Sequence, residues 1–289
     1  MSEHASNVAK RSERPLPGRV VAITGAAKGI GKATAERLVA EGALVAIGDI
    51  DLEAAVRTAA GLGPGAIGLA LDVTSAASMA SFLDETEARI GPLDVLVNNA
   101  GIMVVGSFAD EDDTAAAREV AVNVLGVVHG MRHAIKRMRL HGGGHIVNIA
   151  SLASWFCTPG EATYTATKHA VRGLTESVRL ELRNESILLT SIYPGVVDTE
   201  LAAGTGDPAK LLQPSQVADA IADALRWPRD EVFLPKGAGP LARLSTALRP
   251  RARLLVGRLL RVDQVATHVP PGARTDYERR VNTSAGTPG

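Results

Sequence analysis

Tyr164 and Lys168 stand four residues apart, and Ser151 lies thirteen residues before the tyrosine, just past an apolar run. On a helix, residues four apart share a face, so the lysine ammonium can sit beneath the phenol. An opposite charge at roughly 4 Å is worth ~4 kcal/mol at an effective dielectric of about 20, enough to draw the phenol's pKa down towards neutrality. A phenol, an ammonium and a hydroxyl around one oxygen can take or return an alcohol's proton while the carbinol hydrogen leaves as hydride. The expected chemistry is reversible oxidation of an alcohol. Tyr and Lys at this spacing also occur on plain solvated helix faces, so the assignment depends on what positions them.

From residue 19 onward, short apolar runs alternate with helix-period segments. Strands are expected at 19–24, 44–49, 66–71, 94–98, 145–150, 188–193 and 231–235, and helices near 29–41, 76–90, 113–140, 162–184 and 214–227. In the last helix Val217, Ile221 and Leu225 share one face. This alternation is the pattern of an α/β fold with a parallel sheet covered on both sides. Ser151 then ends the fifth strand, and Tyr164 opens the helix after it.

The chain has 289 residues, 46% of them apolar, with 31 basic and 31 acidic side chains. That suffices for one large domain, expected over 18–237. Residues 1–17 are polar, lack the apolar stretch of a secretory signal, and are expected to form a disordered leader. Zero net charge gives no basis for binding nucleic acid. No apolar stretch is long enough for a membrane span. The one cysteine, Cys157, fits a reducing, cytoplasmic setting, and is expected to be a small buried hydrophobe. After Gly237 the alternation stops. A basic, partly helical extension, 238–289, carries Arg243, Arg249, Arg251, Arg253, Arg258 and Arg261 with no acidic residue from 240 to 262. Its stretch 251–262 is amphipathic, which suits packing on protein, peripheral contact with an anionic membrane, or a solvated tail.

The first strand runs into Thr24-Gly25-Ala26-Ala27-Lys28-Gly29-Ile30-Gly31 and then a helix. Glycines there let the backbone turn sharply and approach a pyrophosphate, and free amides at the helix start favour its charge. Asp49, ending the second strand, can accept hydrogen bonds from an adenosine ribose and repel a 2′-phosphate, which favours NAD. Lys28 could instead meet that phosphate, which keeps NADP as the alternative.

Together these segments resemble the short-chain dehydrogenase/reductase family over roughly 18–237. The matching pieces are Thr24-Gly25-x-x-x-Gly29-Ile30-Gly31, Asp72-Val73, Asn98-Asn99-Ala100-Gly101, Asn123, Ser151, Tyr164-x-x-x-Lys168 and Pro194-Gly195-x-Val197-x-Thr199. The resemblance implies a Rossmann-type doubly wound seven-stranded sheet in the order 3-2-1-4-5-6-7. It implies that Asp72 and Val73 meet adenine, that Asn98 to Gly101 flank the cofactor, and that Pro194 to Thr199 hold the nicotinamide carboxamide. It further implies that Lys168 binds the nicotinamide ribose and that Asn123 supports a water relay. In the family, helices matching 113–140 and 162–184 commonly pack on a second subunit, so a homodimer or homotetramer is expected.

The pocket is expected to be lined by Met103, Val104, Val105, Leu152 to Phe156 and residues 196–212, with Trp155 and Phe156 divided between pocket and core. An apolar lining would favour a lipophilic alcohol or ketone. His129, His133, His141 and His145 lack the pattern of a metal site. The competing functions are an NADP-dependent carbonyl reductase and a protein that binds NAD, or a membrane surface, without turnover.

Overall fold

The structure, a computed structural model, describes residues 13–249, 251–252, 266, 269–270, 272–275 and 277–279. The apolar runs become seven strands: β1 Val20–Thr24, β2 Leu44–Asp49, β3 Ala66–Ala70, β4 Val95–Asn98, β5 Gly144–Ile149, β6 Ile187–Pro194 and β7 Glu231–Leu234. Every residue of β1, β4 and β5 is buried, as strands must be when helices cover both faces. All neighbouring pairs are parallel, in the order β3-β2-β1-β4-β5-β6-β7. The strands fall within one residue of their expected ends.

The helices are α1 Gly29–Ala40, α2 Leu52–Leu62, α3 Ala76–Ile90, α4 Asp113–Val120, α5 Gly126–Leu140, α6 Ala162–Glu181, α7 Pro214–Arg226 and α8 Ala238–Ala247. Side chains alternate across a strand, so β1 feeds two cores. Val21 and Ile23 join Leu38 of α1, Ala55 of α2 and Ile221 of α7. Ala22 joins Phe82 of α3, Met131 of α5 and Val171 of α6. β1 lies between β2 and β4, so chain order reverses there and a crevice opens at the carboxyl ends of the strands.

Four features depart from expectation. Helix α2 was not foreseen: its alanines blur the apolar period, although Asp51, which accepts from the Ala54 amide at 2.9 Å, marks its start. The single helix expected over 113–140 is divided by a π-helical turn, Ala121–Leu125. The domain reaches back at least to residue 13, because Leu16 is 1% exposed within the core and the Arg14 amide donates to the Arg226 carbonyl at 2.9 Å. It also extends past 237. In α8, Ala242 is buried, and Gly239 lies so close to Phe233 that a Cβ there would be 2.9 Å from its ring. Apart from 251–252, the amphipathic stretch 251–262 lies outside the described residues. Among the described residues no helix is long and apolar enough to cross a membrane.

Candidate active site

The glycine turn is locked against the end of β4. Gly25 has φ +61°, and a Cβ there would lie 2.8 Å from the Ala100 Cα. At Gly31 a Cβ would lie 2.6 Å from the Asn99 Nδ2. That amide donates to the carbonyls of Thr24 and Gly25, both at 2.9 Å, while the Thr24 hydroxyl accepts from the Asn99 and Ala100 amides at 3.0 Å. Lys28, the residue before helix α1, provides no side-chain cap, leaving the first amides of the helix to a ligand or solvent. Asp49 accepts from the Ala27 amide at 3.0 Å and the Asp51 amide at 3.1 Å, and burial holds its carboxyl above its ordinary pKa. The Lys28 ammonium lies 4.0 Å from the Glu200 carboxylate.

At the other side of the crevice, Ser151 follows β5 and Tyr164 stands in the first turn of α6. The Ser151 hydroxyl accepts from the Ala153 amide at 3.1 Å and stands near enough to the Tyr164 phenol to favour its ionised form. The Lys168 ammonium lies 5.5 Å from the centre of the Tyr164 ring and donates to the Ile149 carbonyl at 3.1 Å. Burial lowers the Lys168 pKa to about 8, against the pull of Glu119. Burial, together with Glu161, raises the Tyr164 pKa well above its ordinary value; the Ser151 hydroxyl acts the other way. The expectation that Lys168 brings the phenol towards neutrality is thus not met by the protein's own groups. Desolvation outweighs a lysine whose proton is engaged by a carbonyl.

Asn123 sits within the π-helical turn. Its Oδ1 accepts from the Ile102 amide at 2.8 Å, and its Nδ2 donates to the Ile102 carbonyl at 2.9 Å and the Thr167 hydroxyl at 3.1 Å. A Cβ on Gly101 would come within 3.3 Å of the Asn123 oxygen and 3.7 Å of the Lys168 ammonium, so these two side chains meet at one glycine. Behind them, Glu119 is fully buried and accepts from the Val104 amide at 3.1 Å. Burial pushes its carboxyl up to about 8.

Most of these groups border one cleft of about 1310 Å³, with Glu119 behind it. Of the expected cofactor residues, Gly25, Lys28, Gly29, Ile30, Asp49, Asp72, Val73, Asn99, Ala100, Gly101, Pro194, Gly195, Val197 and Thr199 line it, with Tyr164 and Lys168. Thr24, Gly31 and Asn123 stand behind the wall and brace it, since their polar atoms or close contacts are committed to backbone. Met103, Leu152 and Phe156 line the substrate end. Trp155 does not: it packs in the core with its ring 5.7 Å from those of Tyr193 and Phe233, under the Arg172 guanidinium at 3.3 Å. Val105 lies behind Met103, and with Val104 borders a separate small hollow. Cys157 is exposed rather than buried, although Phe156 and Thr158 on either side of it are buried. Among the described residues no three His, Cys, Asp or Glu side chains are grouped to hold a metal.

Several contributors to the substrate end were missed, among them Thr158 and Leu241. Glu161 borders the cleft one turn from Tyr164, and Tyr277 arrives from the C-terminal extension. The Met103 amide donates to the Tyr277 hydroxyl at 2.8 Å. Arg274, 4% exposed, donates to the carbonyls of Met103 at 2.7 Å, Leu201 at 2.8 Å and Ala203 at 3.1 Å. It thereby fastens the extension over two loops of the cleft. No local motif announces this contact across more than 170 positions.

A glycine turn at the reversal point of a parallel sheet, facing Ser151, Tyr164 and Lys168, defines an oxidoreductase acting on CH–OH groups. The profile of the short chain dehydrogenase family matches residues 19–209. A 3-alpha-(or 20-beta)-hydroxysteroid dehydrogenase of Mycobacterium tuberculosis is 42% identical over 186 residues, 64% of this chain and 72% of that one. A sorbitol dehydrogenase of Cereibacter sphaeroides is 45% identical over 190 residues, 64% and 73% of the two chains. The crystal structure of a short chain dehydrogenase/reductase from Burkholderia phymatum in complex with NAD superposes with a TM-score of 0.74 at 27% identity, covering 81% of this chain and 95% of that one. The chain belongs to the short chain dehydrogenase family.

Proposed function

We propose that the protein is an NAD-dependent dehydrogenase of a largely lipophilic secondary alcohol, with Tyr164 as general acid and base. The observation that carries this reading is the meeting of Ser151, Tyr164 and the buried Lys168 on one wall of the cleft, with the Lys168 ammonium 5.5 Å from the Tyr164 ring. The residues present fit the cofactor. The close-packed glycines at 25 and 31 allow near approach of a pyrophosphate, the uncapped start of α1 offers amides to its charge, and Asp49 stands at the ribose position. Lys28 is drawn to Glu200, which favours NAD over NADP.

Bound NAD supplies the hydride acceptor and a positive ring beside the phenol. In oxidation the Tyr164 oxygen takes the proton of the substrate hydroxyl, and in reduction it returns one to the carbonyl oxygen. The Ser151 hydroxyl holds the same substrate oxygen in line. Lys168 steadies the Tyr164 phenolate by its charge, and Asn123 fixes the Ile102 backbone alongside. Met103, Ala153, Phe156, Leu201 and Leu241 make most of the substrate wall apolar, which suits a lipophilic substrate. Exposed Val120, Leu125, Leu140 and Leu180 on α4 to α6 and the turn between α4 and α5 support a homo-oligomer. A cytoplasmic setting fits the exposed, unpaired Cys157. Arg274 and Tyr277 favour packing of the extension on protein over a membrane contact.

Calorimetric titration with NADH and NADPH, followed by turnover on a 3α-hydroxysteroid, cyclohexanol and sorbitol, tests this proposal. Tighter NADH binding and oxidation of the apolar alcohols are expected. Tighter NADPH binding would instead favour a carbonyl reductase.

A further inference from the structure

Among the described residues, Glu161 is the acidic side chain on the substrate wall that the dehydrogenase reading leaves without a task. It is the residue immediately before α6, 5% exposed, and it borders the cleft one turn from Tyr164. A Ser, Thr, Asp or Asn at this position ordinarily accepts a hydrogen bond from the first amides of its helix. The Glu161 side chain makes no such bond, and among the described residues none donates a hydrogen bond to its carboxyl. Its carboxylate oxygens, unlike Glu119 Oε2, are not sealed off without a partner but open on the cleft. There water fills the acceptor sites until a ligand supplies its own donor.

Resting on the proposed alcohol-dehydrogenase function, we infer that Glu161 is a specificity residue that accepts a hydrogen bond from a second hydroxyl group of the substrate. The substrate class is then a diol, or a larger alcohol carrying a second hydroxyl near the reacting one. Residues three apart at a helix start have Cβ atoms ~5–6 Å from each other, so one small ring can present both oxygens. The neighbourhood selects a neutral donor rather than an ammonium. Burial pushes the Glu161 carboxyl up to about 7, and the charged group acting on it is the Arg274 guanidinium. A second cation beside that guanidinium would be repelled. The rest of the wall, apolar around Met103, Phe156 and Leu201, accepts the hydrocarbon frame between the two hydroxyls.

The test compares kcat/KM for cyclohexanol with those for the cyclohexane-1,2-, 1,3- and 1,4-diols, in the wild type, Glu161→Gln and Glu161→Leu. The wild type is expected to prefer at least one diol over cyclohexanol by ~10-fold or more, the scale of one charge-assisted hydrogen bond. Glu161→Gln should reduce that preference, and Glu161→Leu should bring it to about 1. NADH affinity, measured on each variant, reports whether the fold is intact. Equal use of cyclohexanol and all diols by the wild type, or a preference that survives in Glu161→Leu, overturns the inference while leaving the dehydrogenase reading in place. Absence of oxidation of every probe by a wild type that binds NADH overturns both.

Discussion

The two halves of the cleft are built differently. The cofactor half is made of strand ends and the turns that follow them, and its contacts run between backbone and short side chains: Thr24 with Asn99 and Ala100, Asp49 with Ala27. The substrate half is assembled from loops after β4, β5 and β6, closed by a segment from the far end of the chain through Arg274 and Tyr277. The first half is a fixed frame for one ligand. The second is a set of separable pieces whose shape can change without disturbing the frame.

Substitutions confined to one half should leave the other's readout unchanged. Gly25→Val is expected to give the largest effect, because the position combines φ +61° with a Cβ that would lie 2.8 Å from Ala100. NADH affinity should fall by more than ~100-fold, since a clash of this kind costs ~3 kcal/mol or more; calorimetry reads it. Wild-type affinity would mean the turn is not the cofactor cradle. Arg274→Ala should do the converse. Losing charged hydrogen bonds to three carbonyls, worth ~1.5–3 kcal/mol each, should raise the KM for the alcohol ~10-fold or more, with NADH affinity held within ~2-fold. An equal loss of both would show that the extension supports the whole domain rather than one wall.

Glu119, buried behind Lys168, gives the smallest and most conditional effect. Its folded-state pKa, about 8, lies above the ordinary 4.5, so between these values the folded protein keeps a proton that the unfolded chain releases. Its contribution is therefore full below about pH 4.5 and lost as pH rises through about 8. Glu161, raised to about 7, acts in the same direction. Thermal melts of the wild type should show Tm falling from pH 5 to 8, and Glu119→Gln should fall less, by ~2 °C or more. Identical slopes would count against a protonated Glu119.

The same division governs what could be read in the sequence. Strand ends, the glycine turn, Asp49 and the Ser151, Tyr164, Lys168 set follow from local spacing and short motifs, and all are found at one edge of the sheet. Trp155 could not be divided between pocket and core beforehand, because its partners Tyr193 and Phe233 come from strands distant in sequence. Tyr277 meets Met103 across 174 positions, and no periodicity encodes such a contact. Glu161 was visible beside Tyr164 as a residue, but its lack of a donor is a property of packing. The high pKa of Tyr164 was likewise hidden: spacing gives the attraction of Lys168 but not the burial that opposes it.

The central claim is that Tyr164 moves the substrate proton. The most direct measurement is turnover of Tyr164→Phe beside calorimetric NADH binding on the same preparation. The predicted result is NADH affinity within ~3-fold of wild type and turnover lower by ~100- to 10,000-fold. Turnover close to wild type in a variant that binds NADH normally would contradict the claim and move the acid–base role to another group.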